Sequence, residues 1–152
     1  MTGPALEFVF RLDVTVAAPL ELGPTHLGRR RVIPITGGTI TGPRLKGRVL
    51  PGGADWQVIR ADGTAELDAR YTLEADDGAL ISVVNRGLRH GPPEIVAKLI
   101  AGAAVDPSTY YFRCTPAFET AAPAHQWLTR SIFVATGVRH PDRVEIAVYA
   151  VM

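Results

Sequence analysis

A chain of 152 residues has the size of one domain, read here as a single unit over residues 1–152, and such a domain buries about 70% of its unfolded surface. Hydrophobic residues make up 47% and charged residues 20%, with a formal net charge of +1, which excludes a disordered segment and lacks the basic footprint of a nucleic-acid binder. Cys114 is the single cysteine, so neither a disulfide framework nor a thiolate zinc cluster can form within the chain, and a reducing, cytoplasmic setting follows. The start, Met1-Thr2-Gly3-Pro4, has no basic segment, and Glu7 interrupts the first apolar stretch, so it does not read as a signal peptide. No run is long enough for a membrane-spanning helix, and no membrane partner is expected.

Period-two alternation opens the chain: Leu6, Phe8, Phe10, Leu12, Val14 and Val16 alternate with Glu7, Val9, Arg11, Asp13 and Thr15, the pattern of a long half-buried strand. Residues 17–24 read as turn. A strand over residues 28–35 follows, with Arg29 and Arg31 on one side and Arg30 and Val32 on the other, and Gly37-Gly38 reads as its end. Short strands are expected over residues 39–42, 45–50 and 55–60. Asp62-Gly63 and Asp77-Gly78 are hairpin signals read as tight primed turns. Between them Leu67, Ala69, Tyr71 and Leu73 alternate with Glu66, Asp68, Arg70 and Thr72, and the partner strand over residues 79–86 sets Ile81, Val83 and Asn85 on one face. One short helix is predicted: Pro92-Pro93-Glu94 starts it, Ile95, Val96, Leu99 and Ile100 form its apolar stripe, and Gly102 stops it. Strands resume over residues 109–115, 128–136 and 144–151, the last two apolar on both faces for much of their length.

Around nine strands in meander order with one helix cannot lie open without a vulnerable edge, and closure into an antiparallel up-and-down β-barrel removes it. A β-sandwich has the same periodicity and stays open as the alternative. The all-β class is common to both. Apolar outer faces on the last strands call for a covering element or a partner subunit.

Several motifs together resemble the bacterial and fungal family catalogued as domain of unknown function 3237, also called uncharacterised protein family 0311. They are Arg31-Val-Ile-Pro-Ile-Thr-Gly-Gly38, Pro51-Gly-Gly-Ala-Asp-Trp-Gln57, Leu67-Asp-Ala-Arg-Tyr-Thr72, Asp77-Gly-Ala79, Tyr110-Tyr-Phe-Arg113, Phe118-Glu-Thr120 and Trp127-Leu128. The resemblance implies a compact antiparallel barrel akin to the lipocalin and allene oxide cyclase barrels, commonly a homodimer, and brings no settled reaction. Thr129 stands where that family usually has asparagine, and His125 where it often has tyrosine.

Charged residues interleaved with aromatics supply the candidate site. Asp55-Trp56 follows a Gly-Gly pair that can bulge a strand end, and a carboxylate beside a large aromatic can have its proton affinity raised by desolvation; the plainer reading is a turn cap beside a core tryptophan. Arg70 sits among acidic residues, either as a solvated ion-pair member or as a cation facing a polar interior. Tyr111 and Arg113 share a strand face, Arg113 serving either as a partner of Glu119 or as an anion holder. Glu119 with His125 would make an acid/base pair in a loop that also carries Trp127. The four histidines lack metal-ligand spacing, and no dinucleotide or nucleophile motif is present, so no metal and no cofactor are expected. Arg29-Arg30-Arg31 reads as a solvated charge run.

These readings converge on a cofactor-independent isomerase, cyclase or lyase acting on a small carbonyl-containing metabolite in the barrel. Asp55, Arg70, Arg113 and Glu119 would be its catalytic groups, and Trp56, Tyr111, His125 and Trp127 its substrate-binding walls. A noncatalytic barrel that binds a small-molecule ligand is the alternative, with a homodimer expected in either case.

Overall fold

The computed structural model describes residues 2–152 as an antiparallel barrel of eight strands with two further strands. In chain order the strands are β1 (Leu6–Val16), β2 (Leu20–Thr25), β3 (Gly28–Thr41), β4 (Gly47–Val49), β5 (Ala54–Ile59), β6 (Ala65–Ala75), β7 (Leu80–His90), β8 (Tyr111–Glu119), β9 (Ile132–Arg139) and β10 (Arg143–Val151). The helix α1 (Pro93–Ile100) lies between β7 and β8, and 3-10 turns occupy Pro107–Thr109 and Pro123–Thr129. Strands β6 to β10 run as a meander, β10 pairs β1, and β1 pairs the second half of β3 to close the ring. The short β4 and β5 fill the gap between β3 and β6 one after the other.

Closure corrects one reading of the sequence. Gly37-Gly38 does not end a strand; β3 runs through both glycines while its partners change from β2 and β5 to β1 and β4. A Cβ on Gly38, whose φ is 144°, would lie 2.0 Å from the Asp13 carbonyl oxygen, so only glycine lets β1 approach here. The segment read as turn over residues 17–24 contains β2, because Leu20–Thr25 pairs along β3 despite Gly23 and Pro24. Residues 128–131 belong to a 3-10 turn and its exit, and β9 starts at Ile132. The two Asp-Gly hairpins are not primed turns: only the glycines take positive φ, Gly63 at 88° and Gly78 at 84°, and the aspartates before them do not.

Alternation puts one face of each strand inside. At one end the interior is solid: Phe10, Phe118, Phe133 and Trp127 meet edge to face, with Phe118 and Phe133 centroids 5.2 Å apart, and Leu73, Ile81 and Val83 fill the remaining space. A bulge in β1 between Phe8 and Phe10 turns both Val9 and Phe10 into this core, against strict alternation. At the other end β1, β3, β5, β6, β7, β8, β9 and β10 surround a cavity of ≈ 60 Å³. There α1 follows the end of β7 and sends Leu99 into the core, while Ile95 and Ile100 pack against it. Among the described residues no helix is long and apolar enough to cross a membrane.

Candidate active site in the hollow half of the barrel

The cavity has aliphatic walls, from Val14, Ile33, Ile35, Leu67, Val144 and Ile146, interrupted by a small polar set. Asp55 and Gln57 project from β5, Tyr71 from β6, Asn85 and Arg89 from β7, and Arg139 from β9. Each follows from the inward parity of its strand. Ile81, Val83 and Asn85 face in, so Arg89 on the same alternation must face in as well, and Phe133, Ala135 and Arg139 repeat the case on β9.

Asp55 is half-buried. Its Oδ1 accepts from the Asp68 backbone N–H at 2.9 Å and its Oδ2 from the Gln57 amide at 3.2 Å. Burial pushes its carboxyl above the usual carboxylate range, against the opposing pull of those two hydrogen bonds and of the Arg89 charge. Gln57 passes the connection on, since its Oε1 accepts from Arg31 Nη1 at 3.3 Å. Arg31 is 3% exposed and also donates to Glu21 at 2.8 Å and to the Ile100 carbonyl at the end of α1 at 3.1 Å.

Arg89 and Arg139 are less well served. Arg89 is 5% exposed, has no hydrogen-bonded or ion-paired partner among the described residues, and rests 5.7 Å from the Phe112 ring. Burial lowers its guanidinium to about 10, helped by repulsion from Arg139 and Arg31 and opposed by Asp55. Arg139 donates to the carbonyls of His140 and Arg143, its backbone N–H donates to the Tyr110 hydroxyl at 3.0 Å, and burial lowers its guanidinium too. The Tyr71 hydroxyl and Asn85 Oδ1 are buried without a hydrogen-bond partner, and burial holds the Tyr71 phenol protonated far above its ordinary range. Cys114 also lines the cavity, its thiol pushed up to about 12 by burial and so unreactive.

Of the residues singled out from the sequence, Asp55 alone borders this cavity. Trp56 points outward, 40% exposed. Arg70 is exposed beside Asp68, and Arg113 faces out over the Tyr111 ring, at the opposite end of β8 from Glu119. Tyr111 stacks on His90 on the outer surface at 4.8 Å. His125 hydrogen-bonds Asp77 at 2.8 Å instead of meeting Glu119, and Trp127 belongs to the solid end under Arg44. Conversely Arg31 leaves the solvated charge run it was assigned to, and Tyr71, Asn85, Arg89 and Arg139 had not been singled out as functional. Parity was the available signal for Arg31, Tyr71 and Asn85, each on the inward register of a strand whose apolar residues were already legible, whereas Arg89 and Arg139 lie beyond the strand ends expected at residues 86 and 136.

A family model described as a protein of unknown function, DUF3237, matches residues 4–151. The chain belongs to the DUF3237 family. Among relatives of this DUF3237 protein, a UPF0311 protein of Rhodopseudomonas palustris is 44% identical over 151 residues, 98% of this chain and 99% of that protein. The crystal structure of a conserved protein of unknown function from the same species superposes with a TM-score of 0.95 at 43% identity, covering 100% of this chain and 99% of the other. A more distant relative, the hydroalkoxylation enzyme phnH of Penicillium herquei, is 35% identical over 82 residues, 54% of each protein. The crystal structure of an enzyme from that fungus shares the fold, with a TM-score of 0.75 at 23% identity over 100% of this chain and 97% of that one. Among the described residues no three His, Cys, Asp or Glu side chains gather as metal ligands.

Proposed function

We propose that this protein is a cofactor-independent enzyme that performs acid–base chemistry on a small carbonyl-containing metabolite in the hollow half of its barrel. The observation that carries this reading is the presence of Asp55, with its raised proton affinity, on the same cavity as the Arg89 guanidinium and the unpartnered Tyr71 hydroxyl. One group can move a proton and the others can hold negative charge as it develops on a carbonyl oxygen.

The name of the fungal relative gives the chemistry a concrete form, since hydroalkoxylation adds an O–H across a C=C bond. For an enone bearing a hydroxyl, the Asp55 carboxylate would take the hydroxyl proton as the C–O bond forms. The alkene electrons would move onto the carbonyl oxygen, where Arg89 and Tyr71 donate hydrogen bonds. The protonated Asp55 would then return its proton to the adjacent carbon. The proton borrowed is returned, so the step needs no further reactant. Isomerisation and elimination use the same two functions in other orders.

The room of ≈ 60 Å³ is well below the roughly 300–1,000 Å³ common for ligand pockets, and this favours a second reading, a noncatalytic binding site for a very small ligand. Incubation with a panel of short hydroxy-enones, followed by loss of enone absorbance, separates the two. Turnover by the wild-type protein that falls about a hundredfold or more in Asp55→Asn supports the enzyme. A compound that binds and is recovered unaltered supports the binding protein, and an Asp55→Asn rate equal to wild type refutes the assigned role. A cytoplasmic homodimer accompanies either reading, resting on the buried lone thiol of Cys114 and on the exposed apolar Leu6, Phe8 and Ile132. Sedimentation equilibrium that finds only monomer would contradict the dimer.

A further inference from the structure

The hollow half of the barrel holds more positive charge than its own carboxylates neutralise. Arg31, Arg89 and Arg139 are all buried, and burial depresses Arg89, with a smaller contribution from the repulsion of Arg139 and Arg31. Glu21 pairs with Arg31. Asp55 is the one carboxylate on the cavity wall, and its hydrogen bonds go to the Asp68 N–H and the Gln57 amide, with no arginine in ion-pair contact. Arg139 donates to two backbone carbonyls and feels the Asp142 charge ahead of that of Asp55, so Arg89 is the buried cation that has only Asp55, and no ion pair, to balance it. A buried charge without a partner costs several kcal/mol, and such a cost is retained where a ligand supplies the missing half.

A second, independent observation points to the same ligand. The Tyr71 hydroxyl is a donor, 6% of the residue is exposed, and nothing accepts from it although it opens on this cavity. Guanidinium groups only donate, so the free polar atoms on this wall, Asn85 Oδ1 apart, call for an acceptor-rich group. The fork of an arginine matches a planar carboxylate in two parallel hydrogen bonds. The available ≈ 60 Å³ is about two water volumes, which limits the ligand to a carboxylate carried on a very short chain.

We propose that the Arg89–Arg139 end of the cavity is a carboxylate subsite, so that the substrate is a small carbonyl-containing acid bound as its anion. The word substrate rests on the function proposed above; the binding of a carboxylate does not. The subsite orients the acid with its carboxylate toward Arg89 and Arg139 and leaves the remaining carbons toward Asp55, Tyr71 and Asn85.

The test is equilibrium binding by calorimetry on dialysed protein at constant chloride concentration, with acetate and acrylate as anions and acetamide as the neutral isostere. Acetate and acrylate should bind while acetamide does not. Arg89→Met and Arg139→Met should each weaken binding about tenfold to a hundredfold, the loss expected for a hydrogen bond to a charged group. Arg89→Lys, which keeps the charge, should retain part of the affinity that methionine loses, and Asp55→Asn should bind as tightly as wild type or more so, because it removes a like charge. Equal binding of acetate and acetamide, no binding of either anion, or wild-type affinity in both methionine variants would overturn the subsite. Acetate binding together with unchanged Asp55→Asn turnover would refute the catalytic reading and leave the subsite standing. Turnover of a neutral ketone without anion binding would do the reverse.

Discussion

Replacing Arg89 by methionine should make the ligand-free protein more stable, although it removes a residue that the site is built around. Burial lowers the guanidinium to about 10, which corresponds to about 3 kcal/mol of penalty on the charged form. Methionine has a similar length, bends to fill irregular space and brings no charge. Against the gain stands the loss of the contact with the Phe112 ring at 5.7 Å, worth about 1 kcal/mol for a desolvated pair. The balance is a stabilisation of about 2 kcal/mol, which for a chain of this size raises the melting temperature by roughly 4–8 °C. The sign with pH follows from a lowered basic group: the penalty is full below the folded value near 10 and is relieved as pH rises from there towards the ordinary guanidinium range. The difference between the two proteins should therefore shrink in strong base. Calorimetric melts in anion-poor buffer at neutral pH provide the measurement. A methionine variant less stable than wild type by more than about 1 kcal/mol would refute the reasoning, because it would mean the cation is paired in the free protein.

Three further outcomes follow from the same geometry. Asp55 has a raised proton affinity in the fold, so its contribution to stability is full below the ordinary value of 3.8 and is lost as pH rises through the folded value; Asp55→Asn should flatten that part of the pH–stability curve and be no less stable than wild type at neutrality. Gly137→Ala places a Cβ 2.5 Å from the Phe112 ring, and the melt should show a loss of about 1–3 kcal/mol together with weaker acetate binding as the ring is displaced towards the cavity. Glu21→Gln removes the one carboxylate bonded to the buried Arg31, and since Glu21 itself is partly exposed the cost in chemical denaturation should be about 1–2 kcal/mol.

The long strands were legible because their alternation is uninterrupted: β1, β6 and β7 each keep one apolar face over many residues. What escaped were places where a neighbour decides. Leu20–Thr25 is a strand only because β3 offers it a ladder, and Gly37-Gly38 continues β3 only because β1 must come within reach of its backbone. The site divides along the same line. Asp55 stood out through its glycine-rich approach and its aromatic neighbour, although Trp56 itself points away from the cavity. Arg31 was passed over because arginine on a strand is ordinarily assigned to water, whereas here inward register outweighs residue type, and Arg89 and Arg139 were missed because their strands run past the expected ends at residues 86 and 136. Extending the Ile81, Val83, Asn85 alternation along β7 would have brought Arg89 inside without any coordinates.

The division of the barrel into a filled end and an empty end has a practical meaning for anyone who wishes to redirect this scaffold. The aromatic interlock of Phe10, Phe118, Phe133 and Trp127 holds the ring together without touching the cargo space. Ile33, Leu67, Ile146 and their neighbours can thus be trimmed or enlarged as a separate module, the anchoring half acting as a fixed chuck in which differently bored sockets are mounted.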